Sequence, residues 1–378
     1  MRKIPLKYDI LSEVNRNYVR ETILEHGPVS KPEITSITKL SLPTVNKIVD
    51  TLCVDEDVLV HSIGNSSGGR RPNLYVVNEN SGYVCIVFIH GSQIKANLCS
   101  ITGTVLISEA LAFDTFEDID IPGIIIDIIH SFFKSYDIMN LKIIGVGIPG
   151  VVASDGVISD VPTITALEGV NLKKEIEKHF AVPITVENDA NMSALGAAAK
   201  HKEYKNIVYT YIGTGIGMGI VFDGHLYKGT TFLAGEVGKM VTDKYAKNKN
   251  MLTYEVLGIL KEILPKGEIL RKEESGNLFD SSNSDVKVNR LAQLSTLLII
   301  NTFCFLDPDV VFLDGDLICE PLVTYIKSGL IEYFGESYAG KVKVISDEDT
   351  GTVGITQYCL SKINKNPILI KQTEEIWT

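Results

Sequence analysis

The chain has 378 residues, of which 45% are hydrophobic and 22% are charged, which excludes a largely disordered protein and predicts two or three globular domains. Its net charge of −11 is uneven, because residues 1–78, which we call the head, contain ten Lys/Arg and nine Asp/Glu. This distribution excludes a strongly basic nucleic-acid binder and is compatible with modest, salt-sensitive DNA binding by the head.

Neither a membrane nor a disulfide framework is expected. The two most apolar stretches, 121–133 and 297–305, are shorter than the roughly 20 residues of a membrane span, and no apolar leader follows the first methionine. The six cysteines are scattered, without a CxxC pair or the spacing of a metal site. We therefore predict a cytoplasmic protein whose cysteines are buried as small apolar residues.

Residues 17–52 show a helical pattern interrupted by turn signals. A first apolar stripe ends at Gly27-Pro28, and the capping box Ser30–Glu33 then begins a short second helix. A third helix begins at Ser41, with its apolar residues on one face. Two short helices separated by a tight turn are typical of a helix-turn-helix.

A β-ribbon is predicted after the third helix. Two runs with strand composition, 58–63 and 74–77, flank the glycine-rich stretch 64–69 and the sequence Arg70-Arg71-Pro72. This order is typical of the wing of a winged helix-turn-helix, so we predict a DNA-binding domain over residues 1–78. A generic helical bundle with a hairpin is the alternative that the pattern alone leaves open.

With its Gly-Gly-Arg-Arg-Pro run, this pattern resembles the head of the NagC/XylR-type transcription regulators of the ROK family. The resemblance implies that the third helix contacts base edges in the major groove and that the arginines enter an AT-rich minor groove. A turn glycine of these relatives is a lysine here, which has to hold or avoid a left-handed conformation and whose charge can meet a phosphate. The implied DNA-binding residues are Lys39, Thr44, Asn46, Lys47, Arg70 and Arg71.

From residue 79 onward, strand patterns alternate with helical ones in two similar halves. We predict an α/β fold with mixed sheets, divided into a first lobe over 79–200 and a second lobe over 201–378. Helices are expected near 121–133 and 191–200, and most of the final third is expected to be helical. The predicted strands are 84–89, 93–99, 104–107, 142–146, 183–187, 206–212, 218–222, 310–313 and 342–345.

Four short motifs of this body resemble those of ROK sugar kinases, and the resemblance covers essentially the whole chain. The motifs are Gly147–Gly150, Glu187–Asn191, Gly213–Gly219 and Ala234–Gly238. Each is weak alone, but their order and spacing are typical of the family, which implies a two-lobed actin-like ATPase body. Family membership by itself does not establish activity.

In active relatives the aspartate of the Asn-Asp pair accepts a proton from the sugar hydroxyl that attacks the γ-phosphate. That position is Asp189, which we interpret as a vestigial base. The resemblance implies that Gly150, Asn188 and Glu236 are the remaining parts of a sugar pocket. The alternative is that Asp189 serves only as a helix cap.

The first phosphate loop of the relatives, Asp-x-Gly-x-Thr, is degenerate in this chain. Phe88 replaces the aspartate that assists the metal, and His90 replaces the glycine that lets phosphate approach, while Gly91 and Ser92 complete the loop. A phenylalanine carries no charge to balance a divalent metal, and an imidazole crowds the phosphates. We therefore predict that the chain is not an enzyme.

The zinc site of the relatives is also predicted to be lost, and no cofactor is expected. Lys239 stands where they have the zinc-binding histidine, and the following loop lacks the three cysteines. We expect the Lys239 ammonium to pair with Asp189 or Glu236 and so to occupy acceptors that a sugar needs. The acidic sequence Asp314-Gly315-Asp316, on the adenosine side, is interpreted as a solvated turn.

The sequence thus predicts a non-enzymatic transcription regulator that binds DNA, preferably AT-rich, as a homodimer, because a two-fold reader needs two heads. It leaves room for action through a protein partner such as another regulator, in the manner of an antirepressor of antibiotic-resistance genes. Two alternatives stay open. One is a sugar-responsive repressor that has kept its pocket, and the other is a residual ATP-dependent sugar kinase.

Overall fold

The computed structural model of the chain describes residues 6–63, 71–91, 93–113, 119–135, 140–161, 164–213, 215–242, 251–264, 275–279, 285–345, 347 and 349–364. Arg70 and Ser92, two of the predicted site residues, lie outside these ranges. None of the helices described here is long and apolar enough to cross a bilayer.

The head consists of three helices and a three-stranded antiparallel sheet of order β1-β3-β2. Its apolar core draws Val19, Ile34 and Val45 from the three helices and Tyr75 from the sheet. The elements are α1 (Leu6–His26), β1 (Val29–Ser30), α2 (Lys31–Thr38), α3 (Leu42–Val54), β2 (Val58–Ile63) and β3 (Asn73–Val77).

Local hydrogen bonds explain where the short helices of the head begin and end. The predicted capping box is confirmed: the Ser30 amide donates to Glu33 Oε2 at 2.8 Å, and the Glu33 amide donates to Ser30 Oγ at 3.4 Å. Helix α2 ends at Lys39, which holds the left-handed conformation with φ 59° and donates its amide to the Thr35 carbonyl at 3.0 Å. The glycine-to-lysine change therefore retains the turn.

The first lobe is built on a five-stranded mixed sheet of order β10-β7-β4-β5-β6. Strands β4, β7 and β10 run parallel, and β5 and β6 form an antiparallel meander at one edge. The elements are β4 (Tyr83–His90), β5 (Gln93–Ser100), β6 (Val105–Ala112), α4 (Ile121–Ser135), β7 (Leu141–Ile148), β8 (Val151–Val152), β9 (Ile158–Ser159), α5 (Leu172–Glu177), β10 (Ile184–Asn188) and α6 (Asp189–Lys200).

The second lobe repeats this topology in a sheet of order β13-β12-β11-β14-β15. The prediction of two similar α/β halves with mixed sheets is thereby confirmed. The elements are β11 (Ile207–Ile212), β12 (Ile216–Phe222), β13 (His225–Leu226), α7 (Met251–Ile263), α8 (Ser275–Leu278), α9 (Val286–Leu306), β14 (Val310–Asp314), α10 (Glu320–Phe334), α11 (Glu336–Ala339), β15 (Val342–Val344) and α12 (Thr350–Asn364).

The last helix, α12, crosses back from the second lobe and packs along α6 and against β4 and β7 of the first. The two helices touch through glycines: a Cβ atom at Gly196 would lie 1.8 Å from the Thr350 carbonyl oxygen, and one at Gly354 would lie 1.7 Å from that of Met192. Helix α6 also contacts β11 and β12 of the second lobe. The pair α6 and α12 therefore joins the two lobes beneath the cleft that separates them.

Candidate functional site

A cleft opens between the two lobes. Its first-lobe wall comes from the ends of β7 and β10, and its second-lobe wall from β11, β12 and the segment around residue 236. All four residues predicted to remain from a sugar pocket line this cleft, which brings together positions far apart in the sequence: Gly150, Asn188, Asp189 and Glu236.

Asn188 fixes the entrance to helix α6. Its Oδ1 accepts the amide of Asn191 at 2.9 Å, and its Nδ2 donates to the Gly150 carbonyl at 3.0 Å. Gly150 has φ 100°, and a Cβ there would lie 2.7 Å from a Val161 methyl. The close packing of this backbone against Val161 therefore requires glycine. The helix cap is thus Asn188, and the alternative that assigned this role to Asp189 is wrong.

The carboxylate of Asp189 is already engaged on both oxygens. Oδ1 accepts the amide of Ala190 at 2.9 Å, and Oδ2 lies 3.1 Å from Nδ1 of His90. Burial alone would lower the pKa of His90, but the hydrogen bond with Asp189 and the negative charges of Asp189, Asp314 and Asp316 outweigh it and raise the pKa. His90 therefore contacts Asp189 in surroundings that favour the protonated form of its imidazole.

Phe88 fills the position of the metal-assisting aspartate as a core residue. Its ring is buried between two glycines, since a Cβ at Gly147 would lie 2.4 Å from Cδ2 and one at Gly351 would lie 2.1 Å from Cζ. The ring also stacks on His90 with centroids 5.8 Å apart. The two aromatic side chains thus pack against each other at the end of β4.

The acidic residues after β14 are held by tyrosines of β11. The Tyr211 hydroxyl donates to Asp316 Oδ2 at 2.6 Å, and the Tyr209 hydroxyl donates to Asp314 Oδ2 at 2.8 Å. The Tyr211 ring meets His90 edge-on, with centroids 4.8 Å apart. The interpretation of this sequence as a solvated turn is therefore wrong, because both carboxylates are half-buried and accept hydrogen bonds from tyrosines.

Lys239 does not pair as the sequence predicted. Its ammonium lies 2.5 Å from Asp160 Oδ2 rather than on Asp189 or Glu236. Asp160 follows the β8–β9 ribbon of the first lobe, so this ion pair crosses the cleft. No local pattern of residues indicates Asp160, because its partner is 79 residues away.

Glu236 is left in an environment that favours its neutral form. Burial raises its pKa to about 7; Lys239 opposes this shift, and the charges of Asp160 and Asp189 add to it. Beside it, Thr253 packs against Gly238, where a Cβ would lie 2.2 Å from the threonine Oγ1.

The segment 241–252, which lacks the zinc-binding cysteines of the relatives, is only partly described, because residues 243–250 lie outside the described ranges. Among the residues that the structure does describe, no cluster of three or more His, Cys, Asp or Glu is placed to hold a metal. The predicted absence of zinc and of other cofactors stays a prediction.

The described residues that are predicted to bind DNA are in the turn before α3, on α3 and just before β3. Lys39 and Lys47 are exposed at the turn and on α3, Thr44 and Asn46 are half-buried on α3, and Arg71 is exposed just before β3. The Thr44 and Ser41 hydroxyls are 2.8 Å apart at the beginning of α3. These positions agree with a common surface, and the contacts to DNA stay a prediction.

A sequence profile of the ROK family matches residues 87–360. The xylose repressor of Bacillus subtilis (strain 168) is 32% identical over 237 residues, which cover 62% of this chain and 62% of that repressor. The chain thus spans less than two thirds of that relative's length. The N-acetyl-D-glucosamine kinase of Photobacterium profundum is 31% identical over 200 residues, or 46% of this chain and 65% of the kinase.

Solved structures with this fold include a regulator and a kinase. A ROK family transcriptional regulator, a homolog of the E. coli MLC protein, superposes with a TM-score of 0.72 at 19% identity and covers 94% of this chain and 100% of its own. The ROK hexokinase of Thermus thermophilus superposes with a TM-score of 0.57 at 21% identity, and the match covers 74% of this chain and 99% of the hexokinase. At these identities the likeness establishes the fold alone.

Proposed function

This chain belongs to the ROK family, and we propose that it is a transcription regulator that binds DNA through a winged helix-turn-helix head and carries a ROK body without kinase activity. The relatives named xylose repressor support regulation, and so does a structural neighbour named as a regulator that covers the head as well as the body. The observation that carries the proposal is the contact of His90 with Asp189.

That contact removes the chemistry a kinase needs. A base has to face the attacking sugar hydroxyl, whereas Asp189 Oδ2 faces an imidazole. Phosphoryl transfer depends on positioned positive charge, and here Phe88 supplies none while Asp314 and Asp316 would repel a polyphosphate. A coupled assay over glucose, xylose and N-acetylglucosamine should show no ATP-dependent phosphorylation. Turnover of about 1 s⁻¹ with any of them would overturn this part of the proposal.

The head supports DNA binding as a homodimer. Lys39 and Lys47 present positive charge around the beginning of α3, and Arg71 does so beside the wing. A pair of such heads would read a two-fold site, with the arginines in an AT-rich minor groove. Selection from a random duplex library with the full chain should therefore enrich an AT-rich inverted repeat. Recovery of no sequence above the background of the unselected library would count against the proposal.

Charge removal in the wing tests which residues contact the DNA. Changing Arg70 and Arg71 together to alanine should weaken binding to all sequences and lower the slope of log affinity against log salt by about two. Asn46→Ala should instead relax base preference, at about 1–3 kcal/mol for a lost bidentate contact. Lys178→Ala, a distant exposed change on α5, is the control and should leave both quantities unaltered.

A sugar-responsive repressor is the second candidate, favoured by the four pocket residues that still meet in the cleft and by the relatives named xylose repressor. A sugar would have to displace His90 from Asp189, and each neutral hydrogen bond gained contributes only ~0.5–1.5 kcal/mol. We expect calorimetry with xylose to show no binding tighter than millimolar. A micromolar dissociation constant that disappears in Asp189→Ala would favour this candidate. Without a sugar signal, control would pass to a protein partner such as another regulator, as in an antirepressor.

A further inference from the structure

Two basic side chains, His90 and Lys239, each contact a residue on the opposite side of the cleft. His90 of β4 in the first lobe contacts the Tyr211 ring of β11 in the second, and Asp316 holds that tyrosine in place. Lys239 of the second lobe pairs with Asp160 of the first. Where the relatives' motifs have a glycine and a histidine, this chain thus has two links between its lobes.

We propose that these side chains hold the two lobes closed in the absence of any ligand. The cross-lobe brace, as we call it, consists of His90, Asp189, Tyr211, Lys239 and Asp160. In a kinase of this fold, the bound sugar and nucleotide are what touch both walls of the cleft; here the protein's own side chains do so. This inference rests on the proposed non-catalytic body and concerns the regulation of the same cleft.

The contacts of the brace reinforce one another. Oδ2 of Asp189 orients the His90 ring, so that its face is against Phe88 and Tyr211 meets it edge-on. The phenylalanine is wedged between Gly147 and Gly351, which limits how far the imidazole can move back. The two links, His90 with Tyr211 and Lys239 with Asp160, are separate contacts across the same cleft.

Acidity controls one of the two links. The charged and titratable groups that face His90 are Asp189 on α6, Tyr211 on β11, Asp314 at the end of β14 and Asp316 just after it. Burial alone would lower the pKa of His90, but the hydrogen bond with Asp189 and the negative charges of the three aspartates raise it, so the imidazolium is stabilised in the closed cleft. The contribution of this link is complete at low pH and is lost as pH rises through the raised pKa. Lys239 and Asp160 retain the second link above that pH.

The distance between the lobes can be measured in the full-length protein by pulsed electron spin resonance. Spin labels on Lys174→Cys of α5 and Lys261→Cys of α7 would report it, in a background where Cys53, Cys304 and Cys319 are serine. We expect one narrow distribution that 50 mM xylose does not shift. The double variant His90→Ala, Lys239→Ala should give a longer and broader distribution, and a narrow one should return when xylose is added.

Two further measurements keep the outcome decisive. The Lys239→Ala protein retains only the His90 link. Raising its pH from 6 to 9 should broaden the distribution of distances between the spin labels. Lys178→Ala, which removes an exposed ion pair within α5, should behave as wild type. A wild-type distribution that xylose narrows or shortens, or a double variant that melts as wild type and has an unchanged distribution, would overturn the proposal. Loss of DNA binding alone would not, because the spin-label distance does not depend on DNA.

Discussion

At the scale of single residues, the cleft brings together three acidic side chains, Asp160, Asp189 and Glu236. Glu236 shows the consequence most directly, because burial raises its pKa to about 7 and the charges of Asp160 and Asp189 add to the effect. For an acid, a raised pKa means that folding favours the protonated form. The contribution of Glu236 to stability is therefore fully present below its ordinary pKa and is lost as pH rises through about 7.

Replacing Glu236 by glutamine should remove this dependence on pH. Near pH 5 the free energies of unfolding of Glu236→Gln and wild type should agree, whereas at pH 8.5 the variant should be more stable by roughly 1–3 kcal/mol, after allowance for solvent screening. Urea denaturation at a series of pH values measures both. Glu332→Gln, an exposed change on α10, is the matched control. A variant that is less stable than wild type at pH 8.5 would show that the charged form is the one favoured.

The sequence predicted which residues line the cleft better than it predicted which of their side chains contact one another. Gly150, Asn188 and Glu236 were found because their motifs have fixed order, and the fold brings the motifs together. Asp160, the partner of Lys239, was not predicted. A flexible lysine can reach several carboxylates, and only the folded backbone decides between them. Tyr211 was missed as well, although it stands only two residues before Gly213 of a recognised motif.

At the scale of elements, local patterns predicted most strands and the capping of the short helices. Helix α1 was the main miss in the head: it begins at Leu6, whereas the pattern indicated residue 17. The return of α12 to the first lobe was not predicted either. Its sequence carries no sign of which sheet it covers, and the domain boundary at residue 200 therefore stays a prediction.

The crossing of α6 and α12 is the packing that tolerates least change. Gly354→Ala would place a methyl 1.7 Å from the Met192 carbonyl oxygen, and neither helix backbone can yield without moving a lobe. We expect a loss of about 3 kcal/mol in the free energy of unfolding. Gly258→Ala on α7 meets nothing within 4 Å and should instead stabilise by about 0.5–1 kcal/mol through helix propensity. Equal effects of the two substitutions in urea denaturation would contradict this account of the crossing.

At the scale of the whole molecule, the head is continuous with the body. One apolar cluster extends from Tyr75 and Val77 of the head to Val84 and Ile101 of the first sheet and to Leu360 of α12. The same cluster contains Phe88, so the substituted phosphate site and the head share a core. This shared core is a continuous packed connection from the head to Phe88.

The junction between head and body should determine whether the two unfold together. Asn78 lies at this junction, and the residues after it lead into β4. Its backbone amide donates to the Asp57 carbonyl, and its side-chain Nδ2 donates to the Glu56 carbonyl at 2.7 Å. Asn78→Ala removes the side-chain hydrogen bond to Glu56 and the one that Asn78 Oδ1 accepts from the Asn80 amide. The substitution should therefore lower the free energy of unfolding of the head by about 1–2 kcal/mol and leave that of the body unchanged. Native-state hydrogen exchange would then detect α1 and α3 opening before the sheets, whereas in wild type they open together. Asn80→Ala, with its exposed side chain, should retain the joint opening, and separate opening already in wild type would mean that the shared core does not couple the head to the body.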